Sequence, residues 1–384
     1  MSAGGGSSGS GALNVAVVIE DLGESGAPWN YAKTLPEKLA AIDGVRPVVV
    51  FRRGDGDQFG RGVETVQLTD RSFPTRLLPD RPLPARLAAV ERRLDIDLFH
   101  LNEIPAVGHL AALESDAPVV ATVHGTLHWE TIPVAAQERG YRVRRRLFDR
   151  LGRYTLDRLL TVSDYVTRTM VDRAGYQPGQ VTTTHEAIDD SFFTMPASDG
   201  PDDAPAEYLL HVSNAAPKKN VETLLAAFSR LRSAAPDLEL LVAGDRWHPQ
   251  GPQLAAEHGV ADSVQFLGYV SQERLVRLYD GAACFVYPSY HETFGLPNVE
   301  AMARGTPVVT TDAYAIPEIV GDAAVTVNDA GDPTALAEAI ESVLGDEQRR
   351  ERLGTRGRER ATAFTWERHS ERLVKTYRDV VAME

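Results

Sequence analysis

The sequence contains little cysteine and no long apolar run. Its one cysteine, Cys284, cannot form a disulfide within the chain, and its apolar neighbours favour a buried core thiol over a nucleophile. No segment approaches the roughly 20 apolar residues that a membrane-spanning helix needs. Residues 1–12 are rich in Gly and Ser, which predicts a disordered tail and not a signal peptide. These absences together favour a cytoplasmic protein.

Positive charge is also scarce. The 384 residues carry a net charge of −14, which argues against non-specific nucleic-acid binding. Only five residues are lysines, at positions 33, 38, 218, 219 and 375. No Gly-x-Gly-x-x-Gly fingerprint follows the first predicted strand, so the sequence excludes a dinucleotide site of that type.

Two Asp-x-Asp triplets are of the kind that can bind Mn²⁺ or Mg²⁺. Asp55-Gly-Asp57 lies in a Gly-rich turn, and Asp95-Ile-Asp97 precedes an apolar run instead of following one. Ligands of parallel sheets bind beyond the carboxyl ends of the strands. We therefore interpret both triplets as solvated loop acids and expect no bound metal.

Short apolar runs alternate with amphipathic stretches over most of the chain, which is typical of parallel α/β units. A stretch rich in Pro, Asp and Gly at residues 196–206 indicates a linker. We expect an α/β protein with two doubly wound, Rossmann-like domains that face a cleft, at residues 13–195 and 207–365. A long helix is predicted within residues 366–384. The predicted strands are 13–19, 47–51, 97–101, 118–123, 207–212, 238–243, 264–267, 283–287, 307–310 and 324–327.

The segment from Tyr287 to Asp312 carries the most information. It holds two glutamates, Glu292 and Glu300, with seven residues between them. Glu292 follows a predicted strand, and Glu300 lies about one turn inside the helix that a Phe-Gly-Leu-Pro turn opens. Helix N-termini at strand ends offer unpaired N–H groups that suit phosphate. The segment can therefore supply an anion cradle and two carboxylates, the parts needed to hold a nucleotide-sugar.

This segment resembles the retaining two-domain glycosyltransferases of glycosyltransferase family four, the glycogen-synthase and mannosyltransferase-like group. The likeness covers the spacing of the two glutamates and the Gly-Leu-Pro, Glu-Ala-Met-Ala and Gly-Thr-Pro-Val-Val runs, all in order. The resemblance implies a fold of the GT-B type, in which the C-terminal helix crosses back onto the first domain. It also implies that Glu292 faces the donor sugar and that Glu300 holds the nucleotide ribose.

Lys218 and Lys219 lie in the loop between the first predicted strand of the second domain and the helix that follows it. Near a helix N-terminus they would neutralise the pyrophosphate of a sugar donor, whereas the alternative is a solvated charge pair. The family often has Gly-Arg before this loop, where Ser213-Asn214 stands here, so Asn214 is a doubtful phosphate contact. The other predicted donor contacts are Gly26, Phe294, Gly295 and Leu296.

His124 follows a predicted strand of the first domain. It matches the donor-sugar contact of the family, although a structural histidine is the alternative. Ser163 resembles the serine that begins a helix after a strand in the family, as an N-cap. Residues 184–189 depart from the family, because Glu186 and Ala187 stand where Asn-Gly is usual. This departure puts the local turn and the acceptor side in doubt.

A basic segment runs from Arg142 to Arg158, with seven arginines and two aspartates. Its apolar residues fall on one helical stripe, at Val143, Leu147, Leu151 and Tyr154. One interpretation is an anionic membrane surface or a phospholipid acceptor, at the inner face of a membrane. The other is a helix that packs its stripe on the sheet and leaves its arginines in solvent.

We expect this protein to transfer a hexose from a UDP- or GDP-linked sugar to a glycan or lipid-linked acceptor. The anomeric configuration would be retained, no metal or further cofactor would be needed, and Glu292 and His124 would be the catalytic residues. Two alternatives remain. A sugar-nucleotide epimerase of the same fold would not release free nucleoside diphosphate with an acceptor, and a non-catalytic nucleotide-sugar-binding protein would not hydrolyse the donor.

Overall fold

Two parallel β-sheets form the framework of the protein. The computed structural model describes residues 11–22, 27–60, 62–68, 83–102, 116–126, 128, 130 and 139–383. The strands of the first sheet are β1 (Leu13–Asp21), β2 (Val45–Arg53), β3 (Glu64–Gln67), β4 (Leu98–Leu101), β5 (Val119–Val123), β6 (Arg158–Thr161) and β7 (Val181–Thr183). Those of the second are β8 (Tyr208–Val212), β9 (Glu239–Ala243), β10 (Val264–Gly268), β11 (Cys284–Tyr287), β12 (Val308–Thr311) and β13 (Val325–Val327).

Helices connect the strands in the manner of doubly wound folds. In the first half they are α1 (Ala27–Ala40), α2 (Leu83–Leu94), α3 (Arg139–Gly152), α4 (Asp164–Thr169) and α5 (Ser191–Thr194). In the second half they are α6 (Val221–Leu231), α7 (Gln250–Glu257), α8 (Gln272–Gly281), α9 (Leu296–Arg304), α10 (Ile316–Val320), α11 (Pro333–Leu344), α12 (Glu347–Ala361) and α13 (Trp366–Val381). The predicted α/β class is confirmed.

The strand order places the ligand-binding edge of each sheet. The first sheet runs β3-β2-β1-β4-β5-β6-β7 and the second runs β10-β9-β8-β11-β12-β13. The order reverses between β1 and β4 and between β8 and β11, and the loops that leave two such strands diverge to open a crevice. Residues after β8 and after β11 therefore meet, although about 70 residues separate them in the chain.

Every predicted strand has an observed counterpart, but three observed strands, β3, β6 and β7, were not predicted from the sequence. Strand β3 reads ETVQ and is mostly half-buried, so it lacks the apolar run of a central strand. Strands β6 and β7 have four and three residues and follow polar segments. Their pairing with β5 and with each other, not their composition, defines them as strands.

The C-terminal helix α13 packs on the first sheet. Its buried Trp366, Leu373 and Tyr377 share a core with residues of β1 and α1. The Trp366 ring stacks on the Tyr31 ring at 5.5 Å between centroids, and the Tyr377 hydroxyl bonds His100 Nδ1 over 2.6 Å. The last helix therefore joins the second half of the chain to the first, while the residue limits proposed for the domains and the linker stay a prediction.

Candidate active site

Lys219 and Glu292 meet where β8 and β11 end. Lys219 Nζ donates to Glu292 Oε1 over 2.6 Å, and Lys218 Nζ lies 3.7 Å from Glu292 Oε2. The Ser289 hydroxyl also donates to Glu292 Oε1, over 2.7 Å. Burial alone would raise the pKa of Glu292, but the two lysine charges outweigh it and hold this pKa well below its usual range. Burial lowers the pKa of Lys219, and Glu292 opposes that shift.

Backbone contacts fix the lysine loop against the glutamate loop. The Tyr290 N–H donates to the Lys218 carbonyl over 2.8 Å, and the Ser289 hydroxyl oxygen lies 2.9 Å from the same carbonyl. Asn220 lies in the left-handed region at φ 57°, where Asn is tolerated, and its amide donates to the Pro288 carbonyl over 2.9 Å. Neither Asn220 nor Ser289 was singled out from the sequence. Such partners could be recognised only once β8 and β11 were known to be adjacent.

The turn at Phe294, Gly295 and Leu296 begins helix α9. Gly295 has φ 91°, and a Cβ at this position would lie 3.0 Å from the Asn298 amide nitrogen. The Phe294 side chain is buried and packs edge-on against Phe364 at 5.4 Å, so this residue can offer a ligand its backbone only. First-turn N–H groups of a helix have no intrahelical partner, so the geometry of this turn is compatible with phosphate, and the contact assigned to it stays a prediction.

Glu300 lies on α9 and accepts a hydrogen bond from the Tyr279 hydroxyl over 2.8 Å. Burial raises the pKa of Glu300 to about 7, and the Tyr279 hydrogen bond opposes that shift. Glu300 is therefore partly protonated near neutral pH, in contrast to Glu292. No sequence pattern indicates Tyr279 as a partner of Glu300, because it lies on α8, before β11.

His124 forms a pair with Glu186. The distance from His124 Nδ1 to Glu186 Oε1 is 2.5 Å, and both residues are buried. The Thr293 hydroxyl donates to the His124 carbonyl over 2.6 Å, and the Ser163 hydroxyl donates to the Thr293 carbonyl over 2.7 Å. His124, after β5, thus contacts Thr293, the neighbour of Glu292. The fold therefore brings His124 of the first half close to Glu292 of the second.

Three further residues singled out from the sequence are Asn214, Gly26 and Ser163. Asn214 Oδ1 accepts from the Ala216 N–H over 3.2 Å, so this side chain stabilises its own turn. Gly26 lies outside the described residues. Ser163 is the N-cap of α4 as predicted, with its hydroxyl accepting from the Val166 N–H over 3.2 Å.

Glu318, from α10, bridges to the first half of the chain. Its carboxylate accepts from the N–H groups of Asp164 and Tyr165 and bonds His185 Nε2 over 2.7 Å. Ligand atoms of Asp164, His185 and Glu318 lie within 4.8 Å of one another. His185 Nε2 already bonds Glu318, and Asp164 Oδ1 accepts from the Thr183 hydroxyl over 2.6 Å, so the arrangement acts as a link between the two halves.

The Asp-x-Asp triplets serve local structure. Asp55 accepts from the Asp57 N–H over 2.9 Å within its turn. Asp97 is half-buried and accepts from the Asn14 N–H over 2.7 Å, so its interpretation as a solvated loop acid is wrong. Asn14 is the second residue of β1, which places this contact at the amino-terminal edge of the sheet, away from the ligand-binding edge.

The basic segment is not one helix, because α3 ends at Gly152 and β6 begins at Arg158. The apolar stripe faces outward. Val143, Leu147, Leu151 and Tyr154 are 67%, 52%, 41% and 71% exposed. Several arginine side chains instead turn toward the protein. Arg142 donates to the Glu130 carbonyl over 2.6 Å and Arg146 to the His128 carbonyl over 2.8 Å. The interpretation that this stripe packs on the sheet is therefore wrong. Within the described residues, no helix is long and apolar enough to cross a membrane.

Comparison with known proteins identifies the family. Residues 29–192 match the family model described as Glycosyltransferase Family 4, and residues 199–360 match the one described as Glycosyl transferases group 1. The MMP alpha-(1->4)-mannosyltransferase of Mycolicibacterium hassiacum is 32% identical over 76% of this chain and 72% of its own length. The O-antigen chain mannosyltransferase B of Escherichia coli is 32% identical over 57% of this chain and 60% of its own length. The chain belongs to the family-four glycosyltransferases, a class of enzymes.

Solved structures share the fold. Sucrose-phosphate synthase from Thermosynechococcus elongatus superimposes with a TM-score of 0.79 at 24% identity, over 97% of this chain and 100% of that one. HepE from Anabaena, solved in complex with UDP and glucose, superimposes with a TM-score of 0.75 at 19% identity, over 96% and 100%. Both likenesses confirm two Rossmann-like halves of the GT-B type.

Proposed function

We propose that this protein is a retaining hexosyltransferase that moves a hexose from a nucleotide-sugar to a lipid-linked or glycan acceptor, without a catalytic metal. The observation that carries the proposal is the contact of Lys219 with Glu292 at the carboxyl ends of β8 and β11. An open parallel sheet binds its ligand at that place. The contact joins the cation that a diphosphate needs to the carboxylate that the family resemblance assigns to the sugar.

A UDP- or GDP-linked hexose is the sugar donor that suits the site. Lys218 and Lys219 can form charge-assisted hydrogen bonds to the diphosphate, and Glu300 can accept from ribose hydroxyls. The UDP complex of HepE supports a uridine nucleotide, and the mannosyltransferase names of the two relatives support a hexose. Neither these matches nor the described residues favour the epimerase or a binding protein without activity.

The electrostatics favour retention without a metal. An inverting transferase requires a general base whose pKa lies near the working pH. The lysines hold the pKa of Glu292 well below that range, which makes this carboxylate a weak base. Glu300 has a pKa of about 7, but the family resemblance assigns it to the ribose and not to the acceptor. The lysine charges and the first-turn N–H groups of α9 can stabilise the departing diphosphate.

The outward stripe of α3 favours an acceptor at an anionic lipid surface over a soluble glycan. An apolar face flanked by arginines suits a membrane interface. Helix α3 also connects to the site: its Arg142 donates to the Glu130 carbonyl, and the Glu130 carboxylate accepts from the Tyr165 hydroxyl over 2.7 Å. The Tyr165 ring contacts His291, the residue before Glu292, at 6.1 Å between centroids.

The test supplies UDP- and GDP-hexoses together with glycan or lipid-linked acceptors. We expect release of nucleoside diphosphate that depends on acceptor, and a product whose anomeric configuration, read by NMR, equals that of the sugar donor. Turnover should be unchanged in EDTA. An inverted product would contradict retention, and activity that EDTA abolishes and added metal restores would contradict metal independence.

A further inference from the structure

We propose that Glu186 is a positioning residue for His124, which holds the imidazole so that its Nε2 meets the sugar of the donor. This inference rests on the hexosyl transfer proposed above, because the family resemblance assigns His124 to the donor sugar. Glu186 stands where the family usually has asparagine, and the sequence alone indicated only a departure there. In the structure, Glu186 at this position bonds the His124 ring.

The hydrogen-bond geometry assigns the two nitrogens of the ring different roles. Glu186 Oε1 lies 2.5 Å from His124 Nδ1, so the carboxylate and the ring nitrogen share a hydrogen bond. An ionised carboxylate can only accept, so Nδ1 carries the proton. Nε2 is then the nitrogen left for a ligand, as an acceptor in neutral imidazole and as a donor in imidazolium. The carboxylate thereby fixes which ring atom can reach the sugar.

His124 Nε2 is buried and finds no hydrogen-bond partner among the described residues. Buried polar atoms are nearly always paired in native proteins, and an unpaired one requires an explanation. Tyr31 does not supply the partner, although its ring lies 4.8 Å from the imidazole, because its hydroxyl bonds His369 Nε2 over 2.8 Å. A hydroxyl of the donor sugar would satisfy Nε2.

The position of the pair agrees with this role. The His124 carbonyl accepts from the Thr293 hydroxyl, so the histidine sits beside the loop of Glu292. Glu186 reaches it from the segment after β7, 62 residues further along the chain. Both side chains are less than a tenth exposed. Little room remains for the ring to rotate, and removal of the carboxylate would release it.

A second histidine–carboxylate pair provides a matched control. His128 Nε2 lies 2.5 Å from Asp149 Oδ2, and both residues are buried. Asp149 is on α3 and its loss removes the same kind of hydrogen bond. If Glu186 serves only packing, Glu186→Gln and Asp149→Asn should have similar effects on stability and on turnover.

The kinetic test is a double-mutant cycle with Glu186→Gln and His124→Ala. Glu186→Gln should lower kcat by about tenfold or more, because a misplaced catalytic group lowers the rate steeply, and leave nucleoside diphosphate affinity within about twofold. In the His124→Ala background the same change should have almost no further effect, because the residues act as a unit. An equal loss in both backgrounds, or an equal loss of kcat in Asp149→Asn, would overturn the proposal.

A spectroscopic test does not depend on turnover. Histidine ¹⁵N spectra, with the His124 signal assigned from His124→Ala, should show a proton on Nδ1 in the wild type. Addition of UDP-glucose or GDP-mannose should move the Nε2 signal in the wild type and in Asp149→Asn, and not in Glu186→Gln. Should that variant fold poorly, Glu186→Asp keeps a carboxylate and should retain part of the response. A moved Nε2 signal in a protein without transfer would contradict the proposed function alone, and an unmoved one in an active protein would contradict the inference alone.

Discussion

Lys219 Nζ donates to Glu292 Oε1 over 2.6 Å, so the cation assigned to the diphosphate and the carboxylate assigned to the sugar form one ion pair. A phosphate near Lys219 would compete with Glu292 for that cation. Binding of the nucleotide and orientation of the carboxylate are therefore coupled. Experiment can still separate the roles of the two residues, because removal of Lys219 should weaken nucleotide binding, whereas removal of the Glu292 charge should not.

Glu292→Gln should abolish most transfer and leave nucleoside diphosphate affinity unchanged or tighter, because the neutral amide competes less for Lys219. Loss of one partner of a buried pair costs about 3–5 kcal/mol, so the variant should melt several degrees lower. Calorimetric titration, donor hydrolysis and thermal melting would measure the three effects. The folded pKa of Glu292 is depressed, so the stability that it contributes is present above pH 4.5, its ordinary pKa, and is lost as the pH falls below it. Affinity that drops tenfold in Glu292→Gln would place this carboxylate on the nucleotide instead.

Lys219→Ala should weaken nucleoside diphosphate binding by about tenfold or more, because hydrogen bonds to charged groups contribute about 1.5–3 kcal/mol. Lys218→Ala should have a smaller effect, since Lys218 lies further from Glu292 and more in solvent. The exposed Lys375 on α13 supplies the matched control, as Lys375→Ala. Calorimetry would compare the three, and unchanged affinity in both loop variants would remove the phosphate assignment.

The sequence was sufficient for the fold class and for the residues that carry the family motif, because apolar runs and the spacing of Glu292 and Glu300 are local signals. It was insufficient for their partners. Tyr279 lies 21 residues before Glu300, and Glu186 lies 62 residues after His124. Such contacts arise when strands far apart in the chain become neighbours. The direction of the α3 stripe was undetermined for the same reason, since periodicity defines a face but not what covers it.

Glu300 should make nucleotide affinity depend on pH near neutrality. Its pKa is raised to about 7, and only the ionised carboxylate accepts two ribose hydroxyls. Affinity for UDP or GDP should therefore weaken as the pH falls from 8 to 6, and Glu300→Gln should flatten that dependence. Tyr279→Phe removes a hydrogen bond that lowers the pKa of Glu300, so in this variant the drop in nucleotide affinity should occur at a higher pH. A pH-independent Kd in the wild type, measured by calorimetry in matched buffers, would contradict the ribose assignment.

The α3 stripe should bind anionic vesicles. Basic residues near an anionic surface contribute about 1 kcal/mol each, an effect that salt screens, and buried apolar area adds about 25 cal/mol per Å². We expect the protein to co-sediment with phosphatidylglycerol vesicles at low salt and not with phosphatidylcholine vesicles. Leu147→Gln combined with Leu151→Gln should abolish sedimentation, because both side chains are more than 40% exposed in the wild type.

Tyr269 provides the control for that variant. It is 87% exposed and follows β10, outside α3, so Tyr269→Ser removes an exposed apolar side chain without touching the stripe. This variant should sediment like the wild type. Donor hydrolysis should be equal in all three proteins, since Leu147 and Leu151 lie outside the donor site, while transfer to a lipid-linked acceptor in vesicles should fall only in the stripe variant. Wild-type protein that ignores anionic vesicles, or a stripe variant that still sediments, would rule out this surface as the membrane contact and favour a soluble glycan as the acceptor.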